Sequence, residues 1–192
     1  MKQTQELPIA YFESAEAWEA WLADQHAAAP GVWLKLAKKG SGVDSVSYSE
    51  AVDVALCYGW IDSQGRSLDE AFYLQRFTPR KARSRWSRIN RERATTLMEQ
   101  GRMKPAGLRE VERAREDGRW DRAYEPQSTA AVPEDLRQEL DRNPRAREFF
   151  EGLTASQRYA FLYRIQDAKR PETRARRIEQ YVALLNEGKT LR

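Results

Sequence analysis

Alternating apolar and polar residues predict β-strands in the first eighty residues of the chain. Residues 32–37 place every second side chain on one apolar face, formed by Val32, Leu34 and Leu36, as a half-buried strand requires. Residues 71–78 combine aromatic and β-branched side chains, which favour a pleated surface. Weaker patterns at 7–12 and 60–61 predict a short strand and a short strand or turn. The pattern therefore predicts a small sheet in this part of the chain.

Apolar residues spaced three and four positions apart predict helices between and after these strands. Two of the helices begin with capping boxes, Ser47 with Glu50 and Thr154 with Gln157. The other predicted helices start at Ser14 or cover 87–100, 105–117, 133–142, 144–150 and 171–188. Because a layer with strands precedes a run of helices, we predict an α+β fold. It consists of an N-terminal mixed layer with a small antiparallel sheet and flanking helices, followed by a helical C-terminal part.

A polar linker at residues 125–131 separates the two parts of this fold. We predict an α+β region over residues 1–127 and a helical region over residues 128–192. The apolar stripes of residues 133–188 are too few for an isolated core of this size. We therefore expect the helical region to pack on the N-terminal region.

Composition predicts a cytoplasmic protein. Charged residues make up 32% of the chain, and no run of 18 residues is apolar enough to span a membrane. The first residues lack the basic start and apolar run of a secretory signal peptide. Cys57 is the only cysteine, so no intramolecular disulfide can form.

Charge is distributed unevenly along the chain, although the net charge is only +4. The first seventy residues carry eleven acids and five bases, whereas residues 71–93 carry eight bases and one acid, Glu92. An anionic partner would be drawn to this second segment.

The basic segment leaves a strand, turns at Pro79 and enters a helix near residues 84–87, which predicts an anion-binding site. A helix N-terminus presents free N–H groups and the positive end of the helix dipole, to which arginines add charge. Trp86 could stack on a base or pack against an arginine. The candidate ligand-binding residues are Asp62, Arg76, Thr78, Arg80, Lys81, Arg83, Ser84, Trp86, Ser87 and Asn90.

Simpler interpretations of the same residues stay open. The basic segment can be a solvated face that pairs with the acidic first seventy residues. Asp62 can orient the arginines or act as a general base, but an aspartate after Trp60-Ile61 more often caps a turn. A second basic run at residues 169–177 can extend the anion site or lie paired on an exposed helix.

No catalytic residue, cofactor or metal is predicted. Cys57 lies among apolar residues near the end of a helix, so we expect a buried and inert thiol. With one histidine, His26, and one cysteine, a zinc site of ordinary composition is excluded. The chain has no glycine-rich phosphate loop or dinucleotide fingerprint, whereas a magnesium site built from carboxylates alone stays open.

Five sequence blocks, in this order, resemble the YdeI/OmpD-associated (OmdA-like, bacteriocin-protection) family of bacterial proteins. They are GVWLKLAKKGSG, YSEAVDVALCYGWIDS, YLQRFTPRKARSRWSRIN, GRMKPAG and FFEGLTASQRYAFLYRIQDAKRPETRARRIEQYVALL. The resemblance implies tolerance of antimicrobial peptides and, by name, association with a porin. It also implies a YjbR/CyaY-like fold for the N-terminal region. Iron binding, known for frataxin-like members of that fold, is not carried over, because the distinctive segment here is basic.

These observations together predict a non-enzymatic stress or antimicrobial-tolerance protein with a basic anion-binding surface. One alternative is a nucleic-acid-binding module, which a pI of about 9.2 favours. Another is an enzyme acting on a phosphorylated or carboxylated small molecule, which would need Asp62 and Arg76 to face one cavity. The ligand and the oligomeric state stay open.

Overall fold

The described residues of the computed structural model, 6–127 and 129–191, form four strands and eight helices. They divide between two units, Met1–Ala123 and Tyr124–Arg192. Unit 1 contains β1 Ile9–Tyr11, α1 Ala15–Gln25, β2 Val32–Ala37, α2 Tyr48–Cys57, β3 Trp60–Ser67, β4 Phe72–Pro79, α3 Arg88–Glu99 and α4 Pro105–Glu116. Unit 2 contains α5 Glu134–Asp141, α6 Pro144–Gly152, α7 Ala155–Gln166 and α8 Pro171–Asn186. The predicted α+β class is confirmed, and the packing of the helical region on the N-terminal region stays a prediction.

One four-stranded sheet forms the framework of unit 1, with the strand order β1-β2-β4-β3. β4 lies antiparallel to β2 and to β3, whereas β1 runs parallel to β2. The parallel pair follows from α1, which carries the chain from the end of β1 back to the start of β2. The sheet is therefore mixed, with three antiparallel strands and one parallel strand at its edge.

β3 is longer than the apolar pattern indicates. Its residues from Ser63 onward are polar and exposed, so they carry no alternation that would reveal a strand. Backbone pairing with β4 holds them in the sheet, with a bulge between Asp62 and Gly65.

The inner face of the sheet packs with α1 and α2 to form the core of unit 1. Val32, Leu34 and Leu36 are almost completely buried, which confirms the predicted apolar face. Trp18 and Trp60 are also buried in this core. The indole N–H of each donates to a backbone carbonyl at 3.1 Å, of Ala51 for Trp18 and of His26 for Trp60. Each of these tryptophans therefore buries a large apolar surface without leaving its polar atom unsatisfied.

The outer face of the sheet carries the alternate side chains. Its positions are Ile9 and Tyr11 in β1, Trp33, Lys35 and Ala37 in β2, Ile61 and Arg66 in β3, and Phe72, Leu74, Arg76 and Thr78 in β4. Ring contacts agree with this register. The Arg66 guanidinium lies 4.3 Å from the centre of the Trp33 ring, and the Lys35 ammonium lies 3.9 Å from that of Phe72.

The helices of unit 1 begin and end as their capping residues require. The predicted capping box of α2 is present, because Ser47 and Glu50 exchange side chain–backbone hydrogen bonds. Gly59 follows this helix with φ +74°, the left-handed conformation in which glycine commonly ends a helix. Ile89 at the start of α3 is 44% exposed, because the buried face of this helix is formed by Ala94 and Leu97.

Unit 2 consists of four helices around its own apolar core. The buried side chains include Leu136, Leu140, Phe150, Phe161, Ile165, Ile178, Val182 and Leu185. α7 begins with the predicted capping box of Thr154 and Gln157. No described helix of the chain has both the length and the apolar character needed to cross a membrane.

Candidate anion-binding site

The basic segment runs from the middle of β4 through a loop at residues 80–87 into α3. Arg76 and Thr78 lie on the outer face of the sheet, where Arg76 is directly opposite Trp33 of β2. Thr78 is half-buried at the end of the strand, opposite Ile61 of β3. Strand pairing therefore holds both Arg76 and Thr78 in place.

Arg80 is the best-buried charged residue of the segment, with only 6% of its surface exposed. Its backbone N–H donates to Gly59 O at 2.9 Å, which fixes it at the end of the β3–β4 pair. Its guanidinium stacks over the Trp86 ring at 3.6 Å from the ring centre. Its Nη1 donates to Arg85 O at 3.1 Å. Of the two roles predicted for Trp86, the structure has the contact with an arginine.

The loop between Arg80 and α3 is closed by its own hydroxyls. The Ser84 Oγ accepts from the Lys81 N–H at 2.9 Å, while the side chains of Lys81 and Arg83 are exposed. Ser87 is the N-cap of α3, and its Oγ accepts from the Asn90 N–H at 3.1 Å. The helix therefore begins at Arg88, at the end of the predicted range, and the Asn90 N–H is already used by the cap.

Trp86 and the residues after α4 form a second half of the site, which the sequence did not indicate. The rings of Trp86 and Trp120 meet edge to face at 4.9 Å. Arg119 donates through Nη1 to Ser84 O at 2.5 Å and through Nε to Asp117 at 2.7 Å. Arg91 donates to Trp120 O at 3.3 Å, and the Arg115 guanidinium lies 5.2 Å from the Trp120 ring. We name these residues the Arg–Trp cluster: Arg80, Trp86, Arg91, Arg115, Arg119 and Trp120.

Two buried donors of the Arg–Trp cluster lack a hydrogen-bond partner among the described residues. They are the Trp86 Nε1 and the Arg119 Nη2. The Trp86 side chain is 2% exposed, so bulk water cannot satisfy its N–H. A buried donor without an acceptor carries a desolvation cost of about 1–3 kcal/mol. Together with four guanidinium groups, these donors suit an anion.

Asp62 lies away from the outer-face arginine. It pairs across the strands with Phe77, and Phe77 and Arg76 alternate on β4, so Asp62 and Arg76 occupy opposite faces of the sheet. Asp62 accepts a hydrogen bond of 2.7 Å from the Tyr48 hydroxyl of α2. Burial, together with this hydrogen bond, raises the pKa of Tyr48 well above its ordinary value. Asp62 and Arg76 therefore do not converge on one cavity.

Cys57 is 3% exposed, and burial raises the pKa of its thiol to about 11. The thiol is therefore protonated at neutral pH and is a poor nucleophile. His26 contacts Leu22 O through Nδ1 at 2.9 Å, within the helix that it ends. Within the described part of the chain, no three His, Cys, Asp or Glu side chains gather to hold a metal ion.

Unit 2 contains a groove of about 670 Å³ between α5 and α8. Its floor includes Ile178 and Val182, and its rim includes Asp135 and Arg174. The Arg174 guanidinium binds both carboxylate oxygens of Asp135, at 2.5 and 2.9 Å. This arginine of the second basic run is thus paired within unit 2 and is not available to an anion.

Two family matches cover most of the chain. Residues 10–110 match the family described as Domain of unknown function (DUF8412). Residues 129–188 match the family described as Bacteriocin-protection, YdeI or OmpD-Associated. No curated protein and no solved structure matches the chain. The predicted YdeI/OmpD-associated relationship is thus present in the C-terminal region, whereas no match supports the YjbR/CyaY-like relationship of the N-terminal region.

Proposed function

We propose a function for this chain, which belongs to the family described as Domain of unknown function (DUF8412) and carries a YdeI/OmpD-associated region. The proposed protein is a non-enzymatic bacterial tolerance protein that acts by binding. The Arg–Trp cluster is its oxyanion site. The description of the C-terminal family, which names bacteriocin protection, supports the tolerance role.

The observation that carries the site is the difference between Trp86 and the other fully buried tryptophans. Trp18, Trp60 and Trp86 are all at most 2% exposed. The N–H groups of Trp18 and Trp60 donate to backbone carbonyls, whereas that of Trp86 has no acceptor among the described residues. Buried tryptophan N–H groups usually have a partner. An anion oxygen would supply the missing acceptor.

The charge of the Arg–Trp cluster determines the class of ligand. Arg80, Arg91, Arg115 and Arg119 surround two indole rings, and Asp117 pairs with one of them, Arg119. Guanidinium groups and N–H donors match the oxygens of phosphate, sulfate and carboxylate. Lys81 and Arg83, exposed on the adjoining loop, would draw such ions towards the site.

Thermal unfolding with added phosphate tests the oxyanion site. Phosphate should stabilise the native protein by about 2–3 kcal/mol at a hundredfold excess over its Kd, because it binds only the folded state. Sodium chloride at matched ionic strength is the control for general screening. An equal rise in melting temperature with chloride would show that the basic segment is only a solvated face.

The variant Trp86→Phe tests whether the anion binds at the indole N–H, and Trp18→Phe is its matched control. Both variants remove an indole N–H and keep an aromatic ring. Trp18→Phe also removes the hydrogen bond to Ala51 O, whereas Trp86→Phe removes none to a described residue, so Trp18→Phe should cost about 1 kcal/mol more in phosphate-free buffer. Trp86→Phe should weaken phosphate binding about tenfold, whereas Trp18→Phe should leave the phosphate Kd unchanged. Full phosphate affinity in Trp86→Phe would contradict the proposed site.

The alternative of an enzyme that uses Asp62 as a general base has less support. It requires Asp62 to face the arginines, and the strand register puts Asp62 and Arg76 on opposite faces of the sheet.

A further inference from the structure

The outer face of the sheet is an aromatic surface that stands apart from the core of unit 1. Ile9 and Tyr11 of the edge strand are 53% and 40% exposed, and Trp33 and Phe72 are half-buried. Leu74, although buried, does not belong to the apolar cluster of the inner face. Tyr11 and Phe72 meet edge to face at 6.0 Å. Three aromatic rings are therefore presented on one face of a four-stranded sheet.

The charges on this outer face have a single sign. Lys35, Arg66 and Arg76 are its ionisable side chains apart from Tyr11, and no outer-face position of the four described strands carries a carboxylate. The chain as a whole contains 29 acidic residues, so this distribution differs from that of the rest of its surface. Such a surface is complementary to a polyanion.

Arg76 lies near the middle of the outer face and has an unused donor. It belongs to β4, a central strand, and lies opposite Trp33 of β2, the other central strand. Its Nε is buried and has no hydrogen-bond partner among the described residues. The surface thus combines an aromatic ring with an arginine whose Nε lacks a partner among the described residues, at adjacent positions.

We infer that the outer face of the sheet binds single-stranded nucleic acid. Bases of a single strand are free to stack on exposed aromatic rings, whereas those of a duplex are stacked on one another. Phosphates between the bases would be bound by Lys35, Arg66 and Arg76. The polyanionic backbone and the flat bases are the two features that this face complements.

The contact already present on the Trp33 ring does not block a base. Arg66 lies over the Trp33 ring, and its side chain is exposed on the edge strand β3. A cation–π contact at an exposed site is weaker than a base stacked on an aromatic ring. A base can therefore displace Arg66 from the ring and leave its guanidinium free for a phosphate.

Fluorescence anisotropy of a labelled (dT)20 strand with the full chain tests the inference. We expect saturable binding at 50 mM salt, and at least tenfold weaker binding of a 20-base-pair duplex. Trp33→Leu should weaken (dT)20 binding about tenfold, because it removes a stacking ring. Arg76→Gln should reduce the slope of log K against log salt by about 0.7, the value for one phosphate contact of a single strand.

Two variants serve as controls for charge and for the Arg–Trp cluster. Arg109→Gln removes one exposed positive charge from α4 of the same unit, so it should leave the salt slope and the Trp33-dependent affinity unchanged. Trp86→Phe should weaken phosphate binding about tenfold and keep (dT)20 binding, which separates this inference from the proposed oxyanion site. Melting curves establish whether each variant is folded. If Trp33→Leu does not fold, Arg76→Gln, which keeps a polar side chain, still tests the inference.

Three results would overturn the inference. The first is no binding of (dT)20 by the wild-type chain at low salt. The second is equal affinity for single strand and duplex, which would indicate attraction to phosphates alone. The third is an equal loss of affinity in Arg109→Gln and Arg76→Gln, which would show that net charge and not the outer face determines binding.

Discussion

The two units of this chain differ in how they satisfy their buried polar groups. In unit 1, Trp86, Arg76 and Arg119 each have a buried nitrogen without a hydrogen-bond partner among the described residues. In the described part of unit 2, no buried side-chain nitrogen or oxygen is in that state. An unsatisfied buried donor destabilises the fold, so its presence in a native structure calls for an explanation, and a bound ligand is one. We therefore expect a ligand in unit 1, although the family description that names a role matches unit 2.

The polar contacts of unit 2 join its own helices to one another. Asp135 of α5 pairs with Arg174 of α8, and Asn186 of α8 donates to Asn143 beside α6 at 3.3 Å. These groups border the α5–α8 groove, so the groove has an apolar floor and a rim whose charges are partly neutralised. Unit 2 thus uses its polar side chains to hold the helices together, whereas unit 1 leaves several of its own unused.

Two glycine substitutions, one in each unit, should have the most different effects on the free energy of unfolding. A Cβ at Gly107 would lie 2.3 Å from Cys57 O, because α4 crosses the end of α2 at this residue. Gly107→Ala must separate the two helices, and we expect a loss of about 3 kcal/mol from the free energy of unfolding. Gly152, at the end of α6, has open space around it. Gly152→Ala should therefore stabilise the protein by about 0.5–1 kcal/mol.

Urea unfolding followed by circular dichroism measures both glycine effects. Hydrogen exchange should locate the loss caused by Gly107→Ala in α2 and α4 of unit 1. Equal and small effects of the two substitutions would show that α2 and α4 do not need the close approach at Gly107.

Gly107 also illustrates what the sequence could and could not predict. Features set by neighbours along the chain were predicted well, including the α+β class, the apolar face of β2 and both capping boxes. Contacts between distant segments were not, because no local pattern encodes them. Gly107 was placed inside a helix without a reason, and the polar part of β3 was missed because its pairing with the distant strand β4 leaves no local pattern.

In the candidate site, too, the parts formed by neighbouring residues were predicted, and those formed by distant segments were not. The basic segment was recognisable because its arginines are adjacent in sequence. Trp86 was recognised, but Arg119 and Trp120, which complete its surroundings, follow it by more than thirty residues. The helix start near Ser87 was predicted, whereas the opposite orientations of Asp62 and Arg76 depend on the register of β3 against β4.

The single cysteine allows the opening of unit 1 to be measured separately from that of unit 2. Because burial raises the pKa of Cys57 to about 11, its thiolate should be on the order of a hundredfold scarcer at neutral pH than that of an unperturbed thiol. We therefore expect native Cys57 to react with a thiol reagent at least a hundredfold more slowly than the unfolded chain. Labelling in increasing urea, compared with the loss of helical circular dichroism, shows whether unit 1 opens first. Rapid labelling of the native protein would contradict the burial of this residue.

The ion pair between Asp135 and Arg174 should make a small, pH-dependent contribution to the stability of unit 2. The Arg174 guanidinium, which donates to both oxygens, holds the pKa of Asp135 below its ordinary value. A carboxyl with a lowered folded pKa stabilises the native state above its unfolded pKa, about 3.9, and this stability is lost as the pH falls through the folded pKa.

The Asp135 side chain is 45% exposed, so solvent screens the pair and we expect less than about 1 kcal/mol at neutral pH. Asp135→Asn should lower the melting temperature at pH 7, and the deficit should disappear as the pH falls through the lowered folded pKa of Asp135, where the wild-type carboxyl is protonated as well. Glu134→Gln, which breaks the exposed pair with Arg137 on the same helix, is the matched control and should have no measurable effect. A deficit of Asp135→Asn that persists at low pH would show that the hydrogen-bond geometry at Arg174, and not the charge of Asp135, joins α5 to α8.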